Sequence, residues 1–132
     1  MIRRIAAVAI SLFIFSASAY AAEEFPIVGS TYQLDRARFP GKIAICVTED
    51  AMDKYMEAKR EDDQATMKKM LFKIKTMDDI TEMKKADGCT LIGSFSQAEI
   101  IKKGVQSHQA KFFAFPFQPM WGYYLYFGGK VK

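Results

Sequence analysis

The sequence predicts one small α+β domain, a helical N-terminal half of two to three helices packed on a small antiparallel sheet and tied by one disulfide. Apolar residues recur at helical spacing between residues 48 and 86, and from Cys89 onward the period shortens to the alternation of strands. Strands that follow one another pair as hairpins, which need no helical crossover, so the sheet is expected to be antiparallel. The two cysteines, Cys46 and Cys89, bracket the helical stretch.

Arg3 and Arg4 precede an apolar run at residues 5–15 interrupted only by Ser11, and residues 16–21 end in Ala19-Tyr20-Ala21, the pattern at which a secretory leader is cut. The run has eleven residues, whereas a membrane-crossing helix needs about 20. Residues 1–21 are therefore expected to be a cleavable signal peptide rather than a permanent anchor. No cysteine stands at the cut point to carry a lipid, so the product expected is soluble, begins at Ala22, and is periplasmic or secreted.

Residues 22–41 carry Pro26, Gly29, Pro40 and Gly41 around a strand-like stretch, Ser30-Thr31-Tyr32-Gln33-Leu34. They read as a lead-in that lays one strand on a single domain formed by residues 42–132. Lys42-Ile43-Ala44-Ile45-Cys46-Val47 is β-branched and apolar, either a buried strand or an extended approach to a helix.

Thr48 has the form of a helix N-cap, with Glu49 and Asp50 placed in the first turn to complement the helix dipole. Met52, Tyr55, Met56 and Lys59 follow at helical spacing. Asp62 and Asp63 offer a second cap, before Met67, Met70, Leu71 and Ile74 at i, i+3, i+4 and i+7. Met77, Ile80 and Met83 predict a third, shorter helix, begun near Asp78 and Asp79 and ended by Asp87-Gly88.

Residues 89–95 favour a strand, and Ile100-Ile101 before Lys102-Lys103-Gly104 reads as another strand and a turn. Ser96 with Glu99 three residues on has the alternative form of a capping box opening a short helix. Residues 105–127 alternate, with Phe113, Phe115 and Phe117 on one face, a turn near Gln118-Pro119-Met120, then Tyr123, Leu125 and Phe127. This pattern predicts a β-hairpin ended by Gly128-Gly129.

An oxidising compartment and an even pair of cysteines imply one Cys46–Cys89 disulfide. Of the 19 Lys and Arg residues two lie in the leader, leaving 17 against 15 acidic residues, so much of the apparent basicity belongs to export. The remaining charge is uneven: residues 88–132 hold five lysines and one acid, Glu99, a balance that suits an anionic partner.

The order Ala44-Ile45-Cys46-Val47-Thr48-Glu49, an acid-rich helix, Gly88-Cys89-Thr90-Leu91-Ile92, and a β-rich tail with Gly104 and Trp121 resembles small exported bacterial proteins of uncharacterised function. The resemblance covers about residues 42–127 and implies a disulfide-anchored helix beside a small SH3-like barrel. Residues 76–87 stand as an insertion relative to it, and no functional residue comes with it.

Nine aromatic residues fall between Phe112 and Phe127. In a hairpin one set forms core, while Phe112, Tyr124 and Tyr126 line the other face, which either stacks on a partner or is covered by the helices or by the N-terminal lead-in. The function expected is a non-enzymatic binding protein of the envelope. Its contact candidates are Trp121, Tyr123, Tyr124, Tyr126, Lys102, Lys103 and His108. The partner is an envelope protein or ligand. Two narrower forms are an inhibitor or immunity-type protein against an envelope hydrolase, and a small-ligand or copper carrier using Met120 and His108.

Lys102, Lys103 and Lys111 near Phe112 and Tyr124 have the composition of a nucleic-acid stacking surface, but an exported protein meets little nucleic acid and none is expected as partner. The seven methionines after Met1 fall largely on apolar helix faces, as core residues do. His108 is the only histidine, and no nucleophile motif, zinc spacing or glycine-rich phosphate loop accompanies it. Neither cofactor, metal nor catalytic residue is expected.

Overall fold

The computed structural model describes residues 25–132, so the signal peptide expected at residues 1–21 lies outside the described residues. In chain order the elements are β1 (Thr31–Leu34), β2 (Lys42–Cys46), α1 (Glu49–Arg60), α2 (Gln64–Met70), α3 (Met77–Lys85), β3 (Cys89–Gly93), β4 (Gln97–Lys103), β5 (Ser107–Phe112), β6 (Met120–Tyr123), a 3-10 turn (Tyr124–Tyr126) and β7 (Phe127–Lys130). The strands form one sheet in the order β3-β2-β6-β5-β4-β1-β7, every neighbouring pair antiparallel.

The α+β class and the antiparallel sheet are as expected, but the helical N-terminal half is not. Two strands come first, and the helices are an insertion between β2 and β3. The reason lies in β1, whose Tyr32 and Leu34 alternate with exposed Gln33 and are each 1 % exposed. Burying that face places β1, the strand expected in residues 22–41, inside the sheet between β4 and β7.

The helices begin where local chemistry says they should. Thr48 accepts a hydrogen bond from the Ala51 N–H at 3.1 Å, Asp63 from the Thr66 N–H at 3.1 Å, and Thr76 and Asp79 form a reciprocal capping box at α3. The helical period continues past α2 in sequence, yet α2 stops at Met70. Phe72 instead donates its N–H to the Cys89 carbonyl at 2.8 Å, and Thr90 Oγ1 donates to the Phe72 carbonyl at 2.8 Å. Leu71 thus joins Cys89 in a short parallel bridge that replaces the last helical turn.

The expected long hairpin is likewise divided. Strand β5 ends at Phe112, and Phe113 to Pro119 form a loop in which Pro116 and Pro119 have no N–H to give a ladder. Phe113, Phe115 and Phe117 consequently share no face: Phe115 is buried, while the other two are more than half exposed. No helix opens at Ser96, which lies in the bend before β4, and Glu99 is in β4 itself, because Ala98, Glu99 and Ile100 pair with β5.

Helix α1 packs on β2, β5 and β6, with Met52, Tyr55 and Met56 turned into the core. The sheet coils strongly: the ring of Phe127 on β7 lies 5.9 Å from those of both Phe112 and His108 on β5. In a flat sheet, with β4 and β1 between them, those strands would stand about 14 Å apart. The Cys46–Cys89 disulfide joins directly paired residues of β2 and β3, closing the helical insertion at its base. Among the described residues no helix is long and apolar enough to cross a membrane.

Candidate functional site

The β4–β5 hairpin and the end of β6 bring four of the seven expected contact residues to one end of the sheet. Lys103 pairs with His108 and Ser107 with Tyr123, and the Tyr124 N–H donates to the Gln106 carbonyl at 2.9 Å. Lys102 and Lys103 are exposed, and Tyr124 is 41 % exposed. Tyr123 is half-buried with its ring 4.8 Å from that of Tyr124, and burial followed by the Tyr124 phenol raises its pKa.

The other three belong to the core and do not form a contact surface. Tyr126 is 2 % exposed and donates its hydroxyl to Met56 Sδ at 3.7 Å, and burial pushes its phenol well above the ordinary range. Trp121 stands opposite Cys46 on β2 and is buried. His108 is buried, and its Nδ1 accepts from the Gly104 N–H at 3.3 Å, which leaves the ring proton on Nε2. Desolvation, then the charge of Lys103, lowers its pKa, with Glu49 opposing. Gly122 makes this packing possible, since a Cβ there would lie 2.6 Å from Phe112 Cζ. Phe112 is buried with them and offers no stacking face.

Ser107 and His108 are consecutive in a strand and so project to opposite faces. Ser107 Oγ donates to Asp53 Oδ1 at 3.4 Å on the side of α1, while His108 turns toward Phe127. The two are therefore not arranged as nucleophile and base. Met120 is fully buried and its sulfur accepts from Gln118 Nε2 at 3.3 Å, so neither it nor His108 presents a donor at the surface for a soft metal. Among the described residues no three His, Cys, Asp or Glu side chains gather as a cation site.

A separate concavity of about 620 Å³ opens beside β3, one of the two edge strands. The α2–α3 linker gives it Leu71, Phe72 and Ile74, β3 gives Leu91 and Ile92, and the β5–β6 loop gives Phe115 and Phe117. Lys42, Lys73 and Lys75 complete its wall. Two smaller depressions, of about 290 and 350 Å³, share Phe117 with it, and among the described residues no acidic side chain lines any of the three.

Phe115 is buried and holds Phe117 edge-on at 5.0 Å between ring centroids, leaving Phe117 56 % exposed over the cavity. The linker alternates, Ile74 packing on the core between exposed Lys73 and Lys75. These residues were not among the expected contacts. Their signals were the period-two alternation Lys73-Ile74-Lys75 inside an apparent helical run, and Pro116 and Pro119 around Phe117. Compared with protein-family models, curated proteins and solved structures, the chain matches none.

Proposed function

We propose that this is an exported, non-enzymatic binding protein of the cell envelope, akin to the small exported bacterial proteins it resembles, and that it holds its partner in the groove beside β3. The observation that carries this reading is the groove itself: an apolar floor centred on exposed Phe117, walled by three lysines and, among the described residues, by no acid. Such a concavity with a few charged groups at its margin has the form of a recognition site. The burial of His108 and its separation from Ser107 speak for binding over catalysis.

The test immobilises the oxidised protein in a cell-envelope extract and compares it with Phe117→Asp and with a Lys103→Ala/Tyr124→Ala variant. A species retained by the parent, lost with Phe117→Asp and rebound after purification supports the reading. Equal retention by parent and Phe117→Asp overturns the groove as the site. Loss only with the Lys103/Tyr124 variant moves the site to the β4–β5 hairpin end.

A further inference from the structure

We infer that the groove accepts an extended, acidic polypeptide segment of a partner protein, which adds to the free edge of β3 as an eighth strand. The inference rests on the binding reading above and names its chemistry. Among the described residues strand β3 has one neighbour, β2, and its other edge is open from Leu91 onward.

The direction of the backbone groups follows from alternation. Gly88 and Ser94 bond toward the β2 side, through Val47 N–H to the Gly88 carbonyl and Ser94 N–H to the Gly41 carbonyl. Cys89 points the other way, its carbonyl taking the Phe72 N–H. In an antiparallel pair successive residues alternate between partner and outside. Leu91 and Gly93 therefore aim N–H and C=O outward, as Cys89 does. Linker residues 71–72 cover only the first of these positions and then diverge from the strand, and the cavity occupies the gap.

Both side-chain requirements of strand addition are present. Leu91, Phe115 and Phe117 offer apolar contacts to alternate side chains of an incoming strand, and Lys42, Lys73 and Lys75 offer charge to its carboxylates. Asp79 does not neutralise this wall from within the groove, since its Oδ2 accepts from the Lys75 and Thr76 amides at 2.8 and 2.9 Å. An anionic lipid chain would meet the same lysines and rings but has no use for the open amides, which is why a polypeptide is the better occupant.

The experiment titrates a capped peptide of alternating valine and glutamate, about eight residues long, into the purified oxidised protein and follows amide hydrogen exchange by NMR. Slowing at Leu91 and Gly93 by about tenfold or more at saturation is the expected result, with loss of binding when alternate peptide amides are methylated. Gly93→Pro removes one outward N–H and no bond to β2, and should abolish binding in a protein whose spectrum remains dispersed. Lys42→Glu/Lys73→Glu/Lys75→Glu should weaken binding about tenfold.

Binding without slowing at Leu91 and Gly93, or binding unaffected by Gly93→Pro, overturns strand addition. Laurate binding that shifts Phe115 and Phe117, with no peptide binding, overturns it in favour of a lipid. A captured partner lost with Phe117→Asp but kept with Gly93→Pro refutes the eighth strand and leaves the binding reading standing. Peptide pairing at Leu91 with no envelope partner does the reverse.

Discussion

Glu49, in the first turn of α1, accepts a hydrogen bond from the Val105 N–H at 2.9 Å although 56 positions separate them. One turn on, Asp53 accepts from Ser107 Oγ at 3.4 Å, so two carboxylates of one helix hold the β4–β5 hairpin. The approach requires a glycine, because a Cβ on Gly104 would fall against the Glu49 carboxylate and the Ser107 carbonyl. Gly104→Ala is expected to cost about 1 to 3 kcal/mol by overpacking, and Glu49→Gln about 1 kcal/mol through a weakened hydrogen bond. Urea unfolding measures both; an unchanged midpoint in Gly104→Ala would mean that the hairpin does not sit against α1.

His108 makes stability fall on mild acidification. Burial and Lys103 depress its folded pKa below the ordinary 6.5, so in that window the unfolded chain binds more protons than the folded one. The contribution is complete above 6.5 and is lost as the pH falls toward and through the folded pKa. His108→Asn retains an acceptor for the Gly104 N–H and cannot titrate. Its unfolding midpoint should vary less than the parent's between about pH 7.5 and 5; parallel curves would count against a buried neutral imidazole.

Asp53 acts with the opposite sign. Burial, then Glu49, raises its carboxyl pKa above the ordinary 3.8 despite the Ser107 hydrogen bond. A raised carboxyl favours the protonated folded state, so stability declines as the pH rises from 3.8 through the folded pKa. Asp53→Asn keeps an acceptor for Ser107 and removes the ionisation, and is expected to be at least as stable as the parent at neutral pH. Differential scanning calorimetry decides this, and a lower melting temperature for the variant at neutral pH would refute it.

The disulfide closes a loop across 43 positions, which in the chain-entropy account stabilises by about 3 to 4 kcal/mol. Cys46→Ala/Cys89→Ala should lose stability of that order and retain the β2–β3 pairing, since the four remaining register pairs do not depend on the bond. Guanidinium unfolding gives the loss, and β-sheet circular dichroism at low denaturant tests the pairing.

Tyr126 and Tyr124 are two residues apart and should respond differently. Tyr126→Ala empties a site 2 % exposed and is expected to cost about 3 to 5 kcal/mol. Tyr124→Ala, at 41 % exposure, should stay within about 0.5 kcal/mol of the parent. Thermal unfolding of the pair is the check; similar losses in both would argue that the 3-10 turn is buried as a unit.

How much of this was legible depended on the range of the interaction. Thr48 and Asp63 cap helices through contacts with residues three positions away, and such contacts can be read directly from the chain, whereas the third helix is capped by Thr76 and not by Asp78 or Asp79, which lie in its first turn. The pairing of Cys46 with Cys89 followed from there being two cysteines and from the oxidising compartment that the expected signal peptide implies. The termination of α2 at Met70 was not legible, because Cys89 and Thr90 compete for the Phe72 backbone from 17 and 18 positions away.

The insertion of β1 between β4 and β7 was equally out of reach, since strand neighbours are selected by the burial and pairing of the whole domain. The sequence by itself determined the α+β class, the first two helix starts and the cysteine pair, each through local period, capping or composition. The tertiary structure alone decided that Tyr126, Trp121 and His108 are core and that Phe117, Leu91 and three lysines meet in a groove. Which face a side chain shows, and which distant residues share that face, depend on sheet register and coiling, and these arise only when all the strands pair.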